Sequence, residues 1–215
     1  MKRFPLTMLG LAAMLAPLGA AIGAGGGEGR MTDAQREQFL KDFDRTGMDT
    51  APGDAMLLRI LVEASGAKRG VEVGSYKGFG AMNMGIAFER TGGHLDTVEI
   101  NPGTAEACRA NLKKVGLQDT VTCITGDALK VLPGLEGKYD FVFIDARKSD
   151  YMRYLKALEP KLVPGTVIVA DNSIRSARAM RDFLDYLEQS PDYDTVTIRA
   201  SMEKKDGMTV AYKIR

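Results

Sequence analysis

A chain of 215 residues with 29 Lys and Arg against 28 Asp and Glu carries a formal net charge of +1. That balance excludes the general attraction that draws strongly basic proteins to nucleic acid or acidic membranes. Two cysteines, Cys108 and Cys123, fall in unlike elements without metal-ligand spacing and read as ordinary buried or half-buried thiols.

The first thirty residues differ from the rest. Met1-Lys2-Arg3 precedes an uncharged stretch from Phe4 to Gly27 rich in Leu, Ala, Met and Gly. A basic start, an apolar middle and small residues at Gly19-Ala20-Ala21 or Ile22-Gly23-Ala24 resemble a secretory signal peptide. Residues 1–30 are therefore expected to export the protein when cleaved, or to anchor it to a membrane when kept; a cytoplasmic protein is the alternative.

The remainder, 31–215, suits one α/β domain. Thr32 and Gln35 are spaced as a capping box for a helix that carries Phe39, Leu40 and Phe43 on one face. A second helix follows Pro52, and the two fill residues 33–66. Strands and helices then alternate: strand 70–74, helix 79–90, strand 95–100, helix 103–115, strand 120–125. After a loop or short helix come strand 139–144, helix 150–158, strand 166–170 and helix 176–189. Alternating units of this kind build a parallel sheet with helices on both faces. The last two strands, 193–199 and 208–214, are too close for a crossover helix and form an antiparallel hairpin turned at Lys204-Lys205-Asp206-Gly207.

Two apolar runs carry the chemistry. Phe141-Val142-Phe143-Ile144 stops at Asp145, and Val167-Ile168-Val169-Ala170 stops at Asp171-Asn172. Ligands of an open parallel sheet sit beyond the carboxyl ends of its strands, so both tips face one crevice, with Lys148 beside them. Three oxygen donors suit a hard divalent cation such as Mg²⁺, and a lysine next to it is a candidate base. The plainer alternative is that these carboxylates cap the helices that follow, with Lys148 paired to Asp150.

A third strand runs into Gly74-Ser75-Tyr76-Lys77-Gly78-Phe79-Gly80, a glycine-rich turn without dinucleotide spacing or a Walker lysine. Successive strand tips then offer Glu72, Glu99, Asp127 and Asp145 along one rim. Glu99 is placed to accept ribose hydroxyls, and Asp127 suits the edge of an adenine. Such a rim repels phosphates and favours a nucleoside with a cationic tail, which describes S-adenosylmethionine.

With these motifs assembled, the chain resembles the class I S-adenosylmethionine-dependent methyltransferases, and within them the metal-dependent catechol O-methyltransferase-like group. The motifs are Glu72 to Phe79, Val98 to Pro102, Phe143 to Tyr151 and Gly165 to Asn172. The resemblance implies a single Rossmann-like domain whose seven-stranded, mostly parallel sheet ends in an antiparallel strand. It implies S-adenosylmethionine as donor, with Gly74, Glu72, Ser75 and Tyr76 at its methionine end. Glu99 and the adjacent Ile100 fall at the ribose, Asp127 and Ala128 at the adenine, and Met48 with Asp49 on a segment that closes over the cofactor.

Asp145, Asp171 and Asn172 fall on the metal ligands, with Asp145 also near the donor's amino group, and Lys148 falls on the catalytic lysine. The acceptor implied is a small vicinal dihydroxy aromatic, with no nucleic acid partner. Pairing of two copies through the helices before residue 66 is also implied. Three departures stand out: Ala146-Arg147 replace a His-Trp pair of the animal enzymes, Ala200 replaces a substrate-holding carboxylate (Glu203 lies nearby), and there is no Trp. Two other readings remain at this stage: an exported module that binds the donor without catalysis, and a methyltransferase acting on a larger acceptor such as RNA or protein.

Overall fold

The computed structural model describes residues 31–215. The leader expected at 1–30 lies outside the described residues; among those described, no helix is long and apolar enough to cross a membrane. The elements in order are α1 (Asp33–Lys41), α2 (Pro52–Ser65), β1 (Arg69–Val73), α3 (Phe79–Thr91), β2 (His94–Glu99), α4 (Pro102–Lys114) and β3 (Val121–Thr125). They continue with α5 (Ala128–Gly134), β4 (Tyr139–Ile144), α6 (Tyr151–Leu158), β5 (Leu162–Ala170), α7 (Arg181–Gln189), β6 (Tyr193–Ile198) and β7 (Met208–Lys213).

The capping box forms: Thr32 Oγ1 accepts from the Gln35 backbone while the Gln35 side chain accepts from the Thr32 backbone. The helix stops at Lys41, so Phe43 lies past its end rather than on its face. Its ring still packs between Phe39 at 5.9 Å and Phe79 at 5.5 Å. His94 opens β2, with its Nε2 3.0 Å from Thr122 Oγ1 on β3.

One seven-stranded sheet has the order β3-β2-β1-β4-β5-β7-β6. Strands β1 to β5 pair in parallel, and β7 runs antiparallel to both β5 and β6. The expected hairpin forms, and its second strand inserts between β5 and β6. Because β1 leads outward to β2 and β3 while β4 leads the other way to β5, the order reverses between β1 and β4. A crevice opens at such a reversal, beyond the carboxyl ends of the strands.

Strand alternation divides the core into two layers. Phe141 and Phe143 of β4 share one cluster with Leu58, Val62, Met82 and Phe88 from α2 and α3. Val142 and Ile144 share the other with Tyr151, Leu155, Phe183 and Leu187 from α6 and α7. All four β4 residues are fully buried, so each contributes about 1.5–3 kcal/mol of transfer free energy. This packing holds the tip of β4, and hence Asp145, rigidly at the crevice.

Candidate active site

The tips of β1 to β5 open onto a cleft of about 1470 Å³. A site for one drug-sized ligand spans about 300–1,000 Å³, so this cleft has room for two reactants side by side.

The first half is built on β1 and β2. The chain leaves β1 through Gly74 at φ 93°, where any side chain would collide with the Asp145 carbonyl. Only glycine allows this crossing at the sheet's reversal point. Tyr76 then takes a left-handed φ of 49°, which aims its backbone N–H at Glu99 Oε2, 2.8 Å away. The Asn101 N–H donates to Glu99 Oε1 at 2.8 Å. Two amides thus fix the Glu99 carboxylate at the cleft wall. Asp127 also lines the cleft, and it caps α5 by accepting from the Leu129 N–H at 3.0 Å. Asp127 therefore serves as a helix cap alongside its place in the cleft.

Met48, Ser75, Ile100 and Ala128 line the same half. Asp49, also lining it, has one buried oxygen, Oδ1, with no hydrogen-bond partner. Ser75 Oγ is buried and unpartnered likewise. Buried polar atoms left in this state are costly without a ligand. Their chemistry fits the polar tail of a nucleoside that carries a free amino-acid end, such as S-adenosylmethionine. The thiols of Cys108 and Cys123 belong to α4 and β3, as their positions implied, and both are free.

Glu72 stands apart from this group. It does not line the cleft: its side chain is buried behind it and accepts from Thr97 Oγ1 at 2.5 Å. Burial pushes its pKa up to about 8, against the Thr97 bond and helped by the charges of Cys123, Asp145 and Glu99.

The second half is built on β4 and β5. Lys148 Nζ donates to Asp145 Oδ1 at 2.7 Å and to the Tyr151 hydroxyl at 2.9 Å. It does not pair with Asp150, which instead meets Arg153 at 2.9 Å. The Tyr151 hydroxyl donates to the Asp171 carbonyl at 3.2 Å. Burial, together with the charges of Asp145 and Asp171, raises the Tyr151 pKa well above its usual value, so the hydroxyl keeps its proton. Tyr151 thus does more than pack α6. The spacing of three from Lys148 was the signal that the two side chains meet on one turn.

Asn172 adopts a left-handed φ of 61°, and its Nδ2 donates to Asp206 Oδ2 at 3.1 Å. That leaves its carbonyl oxygen for another partner. Asp171 is pushed up to about 6, first by burial and next by the charge of Asp145, against the opposing effect of Lys204. Lys204 Nζ lies 2.6 and 2.5 Å from the two Asp171 oxygens and 3.2 Å from Asp54 Oδ2. Burial works against the charge on Lys204, but the bond to Asp171 and the charges of Asp171 and Asp54 outweigh it and raise its pKa. Each carboxylate thus already holds a cation. Asp145, Asp171 and Asn172 nevertheless line one cleft with hard oxygen donors, the donor chemistry that a divalent metal takes.

Lys204 had no sequence signal, because it arrives from the β6–β7 loop, 33 residues from its partner. Glu203 on that loop also lines the cleft, whereas Ala200 lies against Gly53 of α2.

Residues 28–212 match the family described as O-methyltransferase. The chain belongs to the O-methyltransferase family. Among its relatives, the catechol O-methyltransferase of Niastella koreensis is 33% identical over 145 residues, 66% of this chain and 65% of that protein. The catechol O-methyltransferase of Mycobacterium tuberculosis is 34% identical over 147 residues, 68% of this chain and 63% of that protein. The match therefore spans slightly less than two thirds of each of these relatives. The O-methyltransferase TomG of Streptomyces achromogenes, solved in complex with SAM, superposes with a TM-score of 0.74 at 25% identity, covering 85% of this chain and 89% of its own.

Proposed function

We propose that this O-methyltransferase family member transfers a methyl group from S-adenosylmethionine to one hydroxyl of a small vicinal dihydroxy aromatic. In this reading a divalent cation such as Mg²⁺ is held by Asp145, Asp171 and Asn172, and Lys148 is the base. The observation that carries it is the placement of Lys148 Nζ, 2.7 Å from Asp145, in the same cleft as Asp171, Asn172 and the Gly74–Glu99 cradle. Relatives named as catechol O-methyltransferases support the acceptor class.

S-adenosylmethionine supplies a methyl group on a positively charged sulfur, and a divalent cation supplies Lewis acidity that lowers the pKa of a hydroxyl beside it. Glu99 accepts the ribose hydroxyls with the lone pairs its two amide contacts leave. Asp49 and Ser75 receive the polar tail on their buried oxygens. Lys148, neutral at Nζ, takes the acceptor's proton as the new C–O bond forms and the donor's methyl–sulfur bond breaks to leave a neutral thioether, while Asp145 and Tyr151 hold that nitrogen from two sides. Alignment of two reactants in one cleft supplies on the order of 7–11 kcal/mol of the barrier reduction. On the strength of the leader-like sequence, the same reading includes export or membrane anchorage through residues 1–30.

A methyl-transfer screen over small catechols, with Mg²⁺ and with EDTA, tests this. Transfer that needs Mg²⁺ and stops with EDTA is expected. No transfer to any small catechol would overturn the acceptor class, and transfer indifferent to EDTA would overturn the metal.

A further inference from the structure

We infer that Lys204 is a tethered cation that competes with the divalent metal for Asp171, so that the β6–β7 loop sets how tightly this chain binds its metal. The inference rests on the metal reading above.

Three features of the loop carry it. First, the ammonium sits on both oxygens of Asp171, at 2.6 and 2.5 Å. It therefore covers the side chain that a metal would need. Two positive charges sharing one carboxylate repel strongly where water is scarce, and Asp171 is only 2% exposed.

Second, the loop is pinned on both sides of Lys204. On one side α2 touches it so closely that a side chain at Gly53 would meet Ala200 O at 2.6 Å. On the other, Asp206 accepts from the backbone of Ile174 at 3.1 Å and of Arg175 at 2.9 Å, and from Asn172 Nδ2 at 3.1 Å. Lys204 is thus delivered to Asp171 by a braced loop, with its side chain only 19% exposed.

Third, Asp54 Oδ2 in the first turn of α2 stands 3.2 Å from the same ammonium. Asp54 gives Lys204 a second carboxylate to hold once Asp171 is taken. The competition is therefore a shift of one ammonium between two neighbouring acids, within a loop that stays in place.

The test is Mn²⁺ binding by calorimetry to the full chain and to Lys204→Met, Lys204→Gln and Lys204→Arg, with melting temperature measured with and without Mn²⁺. Removing the charge should tighten Mn²⁺ binding by about tenfold or more, the size of a single close charge interaction. It should also enlarge the rise in melting temperature on adding Mn²⁺, while Lys204→Arg stays near the parent. Lys204→Gln keeps a donor toward both acids and carries the comparison where the methionine variant folds poorly. Unchanged or weaker binding in the neutral variants, with the parent binding Mn²⁺, would overturn the competition and leave the metal reading standing. No Mn²⁺ binding by the parent or any variant would overturn both.

Discussion

The Tyr151 hydroxyl accepts from Lys148 Nζ at 2.9 Å and passes its own proton toward the Asp171 carbonyl at 3.2 Å. A buried phenol on α6 thereby links the lysine at the end of β4 to the chain at the end of β5. The ring is locked by edge packing on Phe183, with centroids 5.6 Å apart. Replacing Tyr151 by Phe keeps that packing and removes only the hydroxyl. The expected result is about a tenfold lower kcat, the worth of one hydrogen bond to a charged group, with KM for the donor unchanged. Equal kcat in the two proteins would show that Lys148 needs no such support.

Glu99 is the second test. Its oxygens each take one backbone amide at 2.8 Å, which aims the carboxylate at the cleft rather than at a counter-ion. Titration of S-adenosylmethionine into Glu99→Ala should show affinity reduced by roughly 10- to 100-fold, corresponding to hydrogen bonds to a charged group. Equal affinity would remove Glu99 from the ribose.

Glu72 makes stability depend on pH. Its pKa is about 4.5 in an unfolded chain and about 8 in the folded protein, where burial favours the neutral acid. Between those values the folded state holds a proton that the unfolded state has released. The stability it contributes is therefore fully present below pH 4.5 and is lost as pH rises through 8. The loss is on the order of 5 kcal/mol. Glu72→Gln mimics the neutral acid, so urea unfolding at pH 5 and pH 9 should show a much smaller fall for the variant than for the parent. Parallel falls would mean that Glu72 is charged in the folded protein.

Much of this site was legible because it lies in short segments whose order encodes position. An apolar run ending in Asp145, and another ending in Asp171-Asn172, state in one dimension that two strand tips share an edge. Gly74 before Tyr76 announces the tight exit from β1. Glu72 was misplaced on the rim for want of one count: in β1 it shares strand parity with Gly70, while Val71 and Val73 belong to the layer under α6 and α7. Its carboxylate accordingly turns the other way, toward α3, where Gly80 leaves room for it. Lys204 was invisible for a different reason. Its meeting with Asp171 and Asp54 joins a loop, a strand end and a helix start far apart in the chain, and no local pattern records such a meeting.

The chemistry assigned to Lys148 is most directly tested by one paired measurement on Lys148→Met: donor affinity by titration, and methyl transfer to a small catechol at saturating donor with Mg²⁺ present. The expected result is donor affinity within about twofold of the parent and a rate lower by roughly 10²–10⁴, the usual range for loss of a positioned acid–base group. A variant that binds the donor normally and transfers methyl at the parent's rate would contradict the role of Lys148 as the base.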